Sequence, residues 1–219
     1  MMILVWGGEK MIEVEKKKDW IGTGRAVFVC NGASGHAQEE RAEYDFYASE
    51  PACATWLMQI EPQITRIFEP CVGMGHLAEE FKKAGKLGAI ADLVDRGYYP
   101  EGIPTKYGLD FFQFHKVWKG DMATNPPFAS ATSWVEHSLE LLTEGRYLAL
   151  FMKITFLEGK ARRELFKKYP PIRVWVSSSR LNCAKNGDFE KYGKGSAACY
   201  CWFIWQKGYK GPTELKWFN

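Results

Sequence analysis

The stretch Ile67-Phe-Glu-Pro-Cys-Val-Gly-Met-Gly75 decides the fold of this chain. Residues Thr65 to Glu69 have the composition of a short buried strand, and the glycines after Pro70 give a tight turn. Leu77 and Phe81 follow at the spacing of one helix face. A strand, a glycine turn and a helix in this order are typical of the first unit of a nucleotide-binding α/β domain.

The glycine turn has both a functional and a structural interpretation. Gly73 and Gly75 leave room for a ligand to approach the backbone, and the following helix presents free N–H groups. Only the first part of the dinucleotide-binding fingerprint is present, because no glycine stands three residues after Gly75. A tight turn that needs glycine for positive φ gives the same pattern, so the turn alone leaves both interpretations open.

Strands and helices continue to alternate along the rest of the chain. We expect strands at 88–95, 121–124, 146–152, 172–176 and 197–205, and helices that begin near Pro51 and cover 131–143 and 161–169. This pattern predicts an α/β domain with one mostly parallel sheet. The domain spans residues 44–219, and residues 1–43, which show no clear period, are expected to form an N-terminal arm packed on its core.

The composition of the 219 residues excludes several classes of protein. With 46% hydrophobic and 25% charged residues, the chain is not disordered, collagen-like or a coiled coil. Its longest apolar runs are far shorter than the roughly 20 residues of a membrane helix, and its start lacks a secretory signal. Six cysteines without a Cys-x-x-Cys pair and four dispersed histidines indicate no metal site and no disulfide framework. We therefore expect a reduced, cytoplasmic protein without membrane contact.

Positive charge is concentrated in one region of the sequence. The formal net charge is +3, yet residues 156–195 alone hold ten Lys and Arg against four Asp and Glu. A basic cluster suits a polyanionic partner, because each phosphate that is neutralised releases counterions. A solvated helix face has the same composition, so charge alone leaves both interpretations open.

Acidic residues stand where a nucleotide-binding fold uses them. Asp92 follows Glu69 by 23 residues, near the position where such folds place the carboxylate that binds ribose hydroxyls. Asp95 competes for this role, but we interpret it as a surface acid in a loop. Asp110 lies in Leu109-Asp-Phe-Phe112, after an expected third strand, where its carboxylate suits an adenine amine.

The tetrapeptide Asn125-Pro-Pro-Phe128 is the most informative motif in the second half of the chain. Two prolines directly after a strand fix the backbone and aim the Asn125 side chain and the Pro126 carbonyl at one point. Two acceptors on one planar NH₂ group pull it toward tetrahedral geometry and free its lone pair, while Phe128 offers a stacking face. A stiff loop with a buried Phe is the alternative interpretation.

The glycine turn followed by Asn125-Pro-Pro-Phe128 resembles the S-adenosylmethionine site and the catalytic motif of amino-methylating DNA methyltransferases. Tyr44-Asp-Phe-Tyr-Ala-Ser-Glu-Pro51 is similar to the segment that closes over the methionine end of the cofactor in those enzymes. More narrowly, the chain resembles the small phage and prophage adenine-N6 methyltransferases over most of its length, apart from residues 1–24. This resemblance is carried by the stretches 32–41, 92–97, 155–159, 178–187 and 208–211.

The resemblance implies a Rossmann-like class I methyltransferase sheet of seven strands, mostly parallel, with one antiparallel strand near the C-terminus. It implies S-adenosylmethionine as the cofactor, bound by Tyr47, Ser49, Glu69, Pro70, Gly73, Gly75, Asp92, Leu93, Asp110, Phe111 and Asn125. It also implies that the N6 amine of an adenine, flipped out of double-stranded DNA, is held by Asn125, Pro126, Pro127 and Phe128. Glu69 replaces the commoner Asp and Phe128 the commoner Tyr, which keeps an acid and an aromatic ring in place.

The order of the motifs limits how this chain recognises a target sequence. About 50 residues separate the glycine turn from Asn125, which leaves no room between them for a target-recognition domain. We therefore expect basic loops at 155–168 and 177–195 to make phosphate contacts and to read a short or relaxed target. The expected nucleic-acid contacts are Lys160, Arg162, Arg163, Arg180, Lys185, Phe189, Lys191 and Lys194. Phe189 and Tyr192 suit stacking on bases and equally suit packing within an ordered loop.

Other functions fit the same motifs. The same fold and cofactor also suit methylation of an RNA base or of a protein glutamine amide, since both acceptors present a planar NH₂ group. The basic region favours a nucleic acid over a protein as the substrate. A DNA-binding protein that has lost catalytic activity fits less well, because the glycine turn and Asn125-Pro-Pro-Phe128 are both intact. An α/β protein that binds another nucleotide also fits less well, because the sequence has no P-loop lysine. The expected setting is the cytoplasm of a bacterial or phage-infected cell, and no restriction endonuclease partner is required.

Overall fold

The chain alternates short strands and helices, as the sequence predicts. The computed structural model describes residues 46–192 and 198–219. Its strands are β1 (Tyr47–Ser49), β2 (Ile67–Glu69), β3 (Leu87–Asp92), β4 (Thr105–Tyr107), β5 (Met122–Thr124), β6 (Tyr147–Lys153), β7 (Arg173–Ser177), β8 (Cys183–Lys185), β9 (Tyr200–Gln206) and β10 (Glu214–Phe218). Its helices are α1 (Ala52–Ile60), α2 (His76–Lys83), α3 (Ala131–Leu141), α4 (Lys160–Lys168) and α5 (Phe189–Tyr192). The N-terminal arm expected at 1–43 lies outside the described residues.

Eight strands form the main sheet, in the order β10-β7-β9-β6-β5-β2-β3-β4. Strand β9 runs antiparallel to both β6 and β7, whereas the other neighbouring strands of this sheet are parallel. The α/β class, the mostly parallel sheet and the antiparallel strand near the C-terminus are thereby confirmed. The described sheet has eight strands rather than the expected seven, because β10 pairs with β7 and adds an edge strand. Leu215 and Trp217 of β10 are exposed, so the sequence shows no buried run there.

The basic segment 177–195, which the sequence predicts as a loop, contains regular structure. Strand β8 pairs antiparallel with β1, with Ser49 opposite Cys183 and Tyr47 opposite Lys185. The short helix α5 follows it. Strands of three residues are too short to show the alternation by which strands are detected, and their pairing joins distant parts of the sequence. The loop prediction failed here for that reason.

The core lies on both faces of the sheet, and β6 shows how. Leu148 and Leu150 belong to the buried cluster around α3, whereas Ala149 and Phe151 belong to the cluster around α1 and α2. All four residues are fully buried. A strand that is covered on both faces needs apolar residues at every position, which explains the continuous apolar run in the sequence. Each buried Leu or Phe contributes about 1.5–3 kcal/mol to folding.

The strand order of the main sheet reverses at β2, because β3 and β4 lie on one side of it and β5 and β6 lie on the other. This strand has β3 on one side and β5 on the other, and both neighbours are parallel to it. A crevice forms outside the carboxyl ends of the strands at such a point. Glu69 ends β2, Asp92 ends β3 and Thr124 ends β5. The motifs that follow these strands therefore meet at one edge of the sheet.

A buried ion pair ties α1 to the sheet. Glu61 follows the last turn of α1 and is fully buried. Its carboxylate accepts hydrogen bonds of 2.5 and 2.6 Å from the Arg173 guanidinium on β7 and one of 2.6 Å from Trp175 Nε1. These bonds offset the cost of removing both charges from water.

Replacing Arg173 with Met would leave the Glu61 carboxylate buried without its cation. We expect Arg173→Met to lower the free energy of unfolding by about 3–5 kcal/mol, measured by urea titration. The double variant Glu61→Gln/Arg173→Met removes both charges and should recover at least half of that loss. A single variant within about 1 kcal/mol of the wild type would show that the ion pair does not stabilise the fold.

Candidate functional site

A cleft opens at the carboxyl ends of β2, β3 and β5. It encloses about 960 Å³ of space, a figure that includes open solvent at its mouth. The residues predicted from the sequence that line it are Tyr47, Ser49, Glu69, Pro70, Asp92, Leu93, Asp110, Phe111, Asn125, Pro126, Pro127 and Phe128. The structure therefore brings the candidate cofactor and acceptor residues together in one place.

The glycine turn supports the cleft from outside. Gly73 and Gly75 have positive φ angles of 57° and 86°, and within the described part of the chain neither lines the cleft. A Cβ atom on Gly73 would lie 2.4 Å from the Phe46 ring, and one on Gly75 would lie 2.4 Å from the Tyr98 ring. On the side where a Cβ atom would project, each glycine therefore packs against one of the protein's own aromatic rings. These two glycines are explained by backbone conformation and packing.

Glu69 lines the cleft at the end of β2. Only 1% of the residue is exposed, and its Oε2 atom has no hydrogen-bond partner within residues 46–192 and 198–219. Burial raises the pKa of the Glu69 carboxyl well above its usual value, and the charge of Asp92 raises it further. A buried carboxylate oxygen of this kind is complementary to a cation or a hydrogen-bond donor inside the cleft.

Asp92 is held in a fixed orientation at the end of β3. Its carboxylate accepts hydrogen bonds from Gly73 N at 2.8 Å, from Val94 N at 2.9 Å and from the Arg96 guanidinium at 3.1 Å. The guanidinium carbon of Arg96 also lies 4.2 Å from the centroid of the Phe46 ring. Because a carboxylate has about four acceptor positions, Asp92 keeps capacity for one further donor from the cleft.

Asp95, the competing candidate, is turned away from the cleft. Its side chain is exposed and accepts hydrogen bonds from Gly97 N, at 2.9 Å, and from the Tyr99 hydroxyl. The hydrogen bond from Tyr99 lowers the pKa of the Asp95 carboxyl. The interpretation of Asp95 as a surface acid is therefore confirmed.

Asp110 and Phe111 form another wall of the cleft. The Asp110 side chain accepts a hydrogen bond of 3.0 Å from Phe112 N and so caps the short helical turn Phe111–Gln113. The Phe111 ring stacks on Trp134 with its centroid 4.0 Å away and an angle of 7° between the planes. His137 Nε2 lies 3.0 Å from the Phe111 carbonyl oxygen. The wall is thus fixed by α3 before any ligand enters.

The side-chain amide of Asn125 is held through its nitrogen atom. Its Nδ2 atom donates hydrogen bonds of 2.9 Å to the Tyr47 carbonyl oxygen and of 2.9 Å to Ser49 Oγ. A carbonyl oxygen can only accept, so the nitrogen must face Tyr47 and the oxygen must face the other way. Oδ1 is buried and has no hydrogen-bond partner in the described part of the chain. Asn125, which lines the cleft, therefore carries an unused acceptor atom.

Phe128 extends the cleft beyond Asn125. Its ring centroid lies 6.4 Å from that of Tyr47, with 27° between the planes, and 6.2 Å from that of Tyr200. The Lys153 ammonium lies 5.4 Å from the Phe128 ring centroid. Cys183 approaches the same region, and burial raises the pKa of its thiol to about 11, so the group stays protonated at neutral pH. Aromatic faces and the Lys153 ammonium therefore lie beside Phe128.

Several residues in or near the cleft were not predicted from the sequence. Phe46, His76 and Arg96 line it, and each stands inside or next to a motif, which is the signal that points to them. His76 begins α2, and burial lowers the pKa of its imidazole. Lys153 and Tyr200 gave no signal, because they belong to apolar strands and reach Phe128 only through the folding of the sheet.

The predicted nucleic-acid residues are spread over several elements. Lys160 and Arg163 are exposed on α4. Arg162 instead donates a 2.6 Å hydrogen bond to the Thr155 carbonyl oxygen and so binds the turn that precedes α4. Phe189 packs edge-on against His76, with ring centroids 5.2 Å apart, in the manner of a packing residue. Of the predicted basic contacts in the segment 177–195, the structure describes Arg180, Lys185 and Lys191, whereas Lys194 lies outside the described residues.

The fold is that of known methyltransferase structures. No protein-family model matches the sequence, and no curated protein matches it. A protein from Listeria monocytogenes, described as a class I S-adenosylmethionine-dependent methyltransferase, has a TM-score of 0.51 at 13% identity over 77% of this chain and 62% of that one. A protein from Lactococcus lactis described as a hemolysin has a TM-score of 0.54 at 9% identity, over 77% and 91%. A chain of a type I restriction-modification system has a TM-score of 0.55 at 12% identity, over 84% and 47%.

These similarities establish the Rossmann-like class I methyltransferase fold. Identities of 9–13% extend to the fold alone, and this chain spans less than two thirds of the Listeria protein and of the restriction-modification chain. Within residues 46–192 and 198–219, no group of three His, Cys, Asp or Glu side chains could hold a metal ion. In the same residues, no helix combines the length and the apolar character that crossing a membrane requires.

Glu69 predicts a pH-dependent stability. The pKa of its carboxyl is raised in the folded state, so its contribution to folding is complete at low pH and is lost as the pH rises above the unfolded value near 4.5. Glu69→Gln removes this cost. We expect its Tm to exceed that of the wild type by about 2–4 °C at pH 8, the shift that about 1 kcal/mol gives a domain of this size, and by less at pH 5.

The exposed Glu140 on α3 supplies a matched control. Glu140→Gln makes the same change in charge and should leave Tm within about 1 °C of the wild type at both pH values. Scanning calorimetry of the three proteins decides the matter. A lower Tm for Glu69→Gln at pH 8 than at pH 5, each relative to the wild type, would contradict the assignment of Glu69 as a destabilised carboxylate.

Proposed function

We propose that the protein binds S-adenosylmethionine in the cleft and transfers its methyl group to the N6 amine of an adenine flipped out of double-stranded DNA. The amide of Asn125 carries this proposal, because its nitrogen is bound to the protein while its buried oxygen has no partner among the described residues. An oxygen so placed accepts a hydrogen bond from a planar amine. Pro126 and Phe128 stand beside it and add a carbonyl group and an aromatic face.

The lining residues fit a positively charged nucleoside. We assign the remaining acceptor position of Asp92 to a ribose hydroxyl, and Asp110 with Phe111 to the adenine ring. Glu69, whose Oε2 atom has no partner in the described part of the chain, suits the cationic part of the ligand. When bound, S-adenosylmethionine supplies an electrophilic methyl group on a sulfonium centre. Tyr47, Pro70 and Leu93 complete the proposed contacts.

Asn125 and Pro126 orient the acceptor amine. We infer that Asn125 Oδ1 and the Pro126 carbonyl accept the two N6–H groups, which draws the nitrogen toward tetrahedral geometry and frees its lone pair for the methyl carbon. Phe128 stacks on the base and keeps it out of the duplex, at a cost of a few kcal/mol for unstacking. The carbon–sulfur bond would break as the nitrogen–carbon bond forms, the sulfur would keep the electron pair, and the methylated nitrogen would release one proton to solvent. Positioning supplies most of the rate enhancement, and no protein nucleophile takes part.

Charge and one structural similarity favour DNA as the polymer. The exposed Lys160 and Arg163 lie on α4, which follows β6, and β6 ends at Lys153 beside Phe128. The Lys153 ammonium, 5.4 Å from the Phe128 ring centroid, places positive charge near the proposed acceptor position, and Lys160 and Arg163 follow it in the sequence. The similar chain of a type I restriction-modification system favours DNA over an RNA base or a glutamine amide.

Removal of the Asn125 amide tests this proposal. Wild type and Asn125→Ala are incubated with S-adenosylmethionine and unmethylated duplex DNA, and the DNA is digested and its modified nucleosides are measured by mass spectrometry. We expect N6-methyldeoxyadenosine from the wild type and a rate at least about 100-fold lower from the variant. Calorimetric titration with S-adenosylhomocysteine, which both proteins should bind, shows that the variant is folded.

The same assay separates the competing functions. If the wild type binds the cofactor but modifies no base in DNA, the DNA substrate is excluded, and RNA and protein amides are then tested with the same pair of proteins. N4-methyldeoxycytidine as the product would exclude adenine while retaining the role of Asn125. If neither protein binds S-adenosylmethionine or S-adenosylhomocysteine, the proposed cofactor is excluded as well.

A further inference from the structure

We propose that Ser49 is a positioning residue, which with the Tyr47 carbonyl locks the Asn125 amide so that Oδ1 faces the acceptor amine. This inference rests on the proposed function and adds a role that differs from the one expected for Ser49. The resemblance places Ser49 at the methionine end of the cofactor. In the structure its hydroxyl oxygen instead accepts a 2.9 Å hydrogen bond from Asn125 Nδ2.

Counting donors and acceptors shows why the amide is locked. Asn125 Nδ2 carries two hydrogens, and the two acceptors at 2.9 Å, Tyr47 O and Ser49 Oγ, use both. The sulfur of Cys183 is a more distant third neighbour at 3.8 Å. Turning the amide by 180° would place Oδ1 against the Tyr47 carbonyl oxygen, where two acceptors repel each other. The Tyr47 carbonyl selects this orientation because it can only accept, and the Ser49 hydroxyl strengthens it by accepting the second hydrogen.

Ser49 is itself held by a structure outside the main sheet. It ends β1, which is paired with β8 so that Ser49 lies opposite Cys183, and its Oγ atom lies 3.6 Å from Cys183 Sγ. The residue is 3% exposed, so water does not compete for its hydroxyl group. The two-stranded sheet therefore connects Asn125 to the basic segment 177–195 through backbone pairing. A group this well fixed is suited to orienting a neighbour.

The kinetic test compares three serine variants. Ser49→Ala should lower kcat for DNA methylation by about 10-fold, the value of one hydrogen bond, and leave KM for S-adenosylmethionine within about 2-fold. Ser49→Thr keeps the hydroxyl group and should restore most of kcat. Ser138→Ala is the matched control, since Ser138 is equally buried on α3, does not line the cleft in the described part of the chain, and should behave as the wild type.

A double-variant cycle tests whether Ser49 acts through Asn125. If it does, Ser49→Ala should have no further effect on the residual rate of Asn125→Ala, measured in single-turnover reactions with labelled cofactor. A further 10-fold loss would show that Ser49 acts elsewhere. An increase in KM of about 10-fold or more with unchanged kcat would assign Ser49 to the cofactor and overturn the proposal.

Nuclear magnetic resonance supplies a readout that does not depend on activity. The side-chain amide signal of Asn125 is identified by its loss in Asn125→Ala, and its exchange with solvent is measured in the other proteins. We expect Ser49→Ala to accelerate that exchange about 10-fold and Ser138→Ala to leave it unchanged. Unchanged exchange in Ser49→Ala would overturn the inference. Because this result is obtained even when DNA is not methylated, failure of the inference and failure of the proposed function are distinguishable.

Discussion

The pairing of β2 with β3 on one side and β5 on the other places the ends of three strands beside one another. Parallel strands end at the same edge, so Glu69, Asp92 and Thr124 stand together although they are distant in sequence. Apolar clusters cover both faces of the sheet, and the free-energy cost of exposing them to water stabilises this arrangement. The cleft is thus a consequence of strand order, and its chemistry depends on which side chains stand at the ends of these strands.

Unsatisfied polar atoms are concentrated at this edge. Four buried side-chain atoms have no partner in the described part of the chain. Glu69 Oε2, Thr124 Oγ1 and Asn125 Oδ1 lie at the ends of two adjacent strands or directly after them, whereas Ser138 Oγ lies on α3. Native proteins rarely leave such atoms unpaired, because each costs about 1–3 kcal/mol. Stability is sacrificed at functional sites more often than elsewhere. The distribution of these atoms therefore agrees with a cleft built to receive hydrogen-bond donors from a ligand.

The sequence predicts those parts of the structure that are local. The strand, turn and helix around Ile67–Gly75, the helix at 131–141 and the apolar strand β6 follow from short-range patterns, and the motif Asn125-Pro-Pro-Phe128 points to the acceptor side of the cleft. The missed features are the contacts that arise from pairing and packing. The sequence could not show that β1 pairs with β8, that Phe46 and Tyr98 fill the space at the glycines, or that Lys153 reaches Phe128. These contacts join residues that are far apart in the chain or absent from any periodic pattern.

A crystal structure with sinefungin tests the central claim most directly, since this analogue of S-adenosylmethionine has an amine in place of the transferable methyl group. We expect the analogue to lie in the cleft with its ribose at Asp92 and its amine within about 5 Å of Asn125 Oδ1, the separation that near-attack distances allow. Asn125 Nδ2 should remain bonded to the Tyr47 carbonyl. An analogue bound outside the cleft, or an Asn125 amide that turns its nitrogen toward the analogue, would contradict the account.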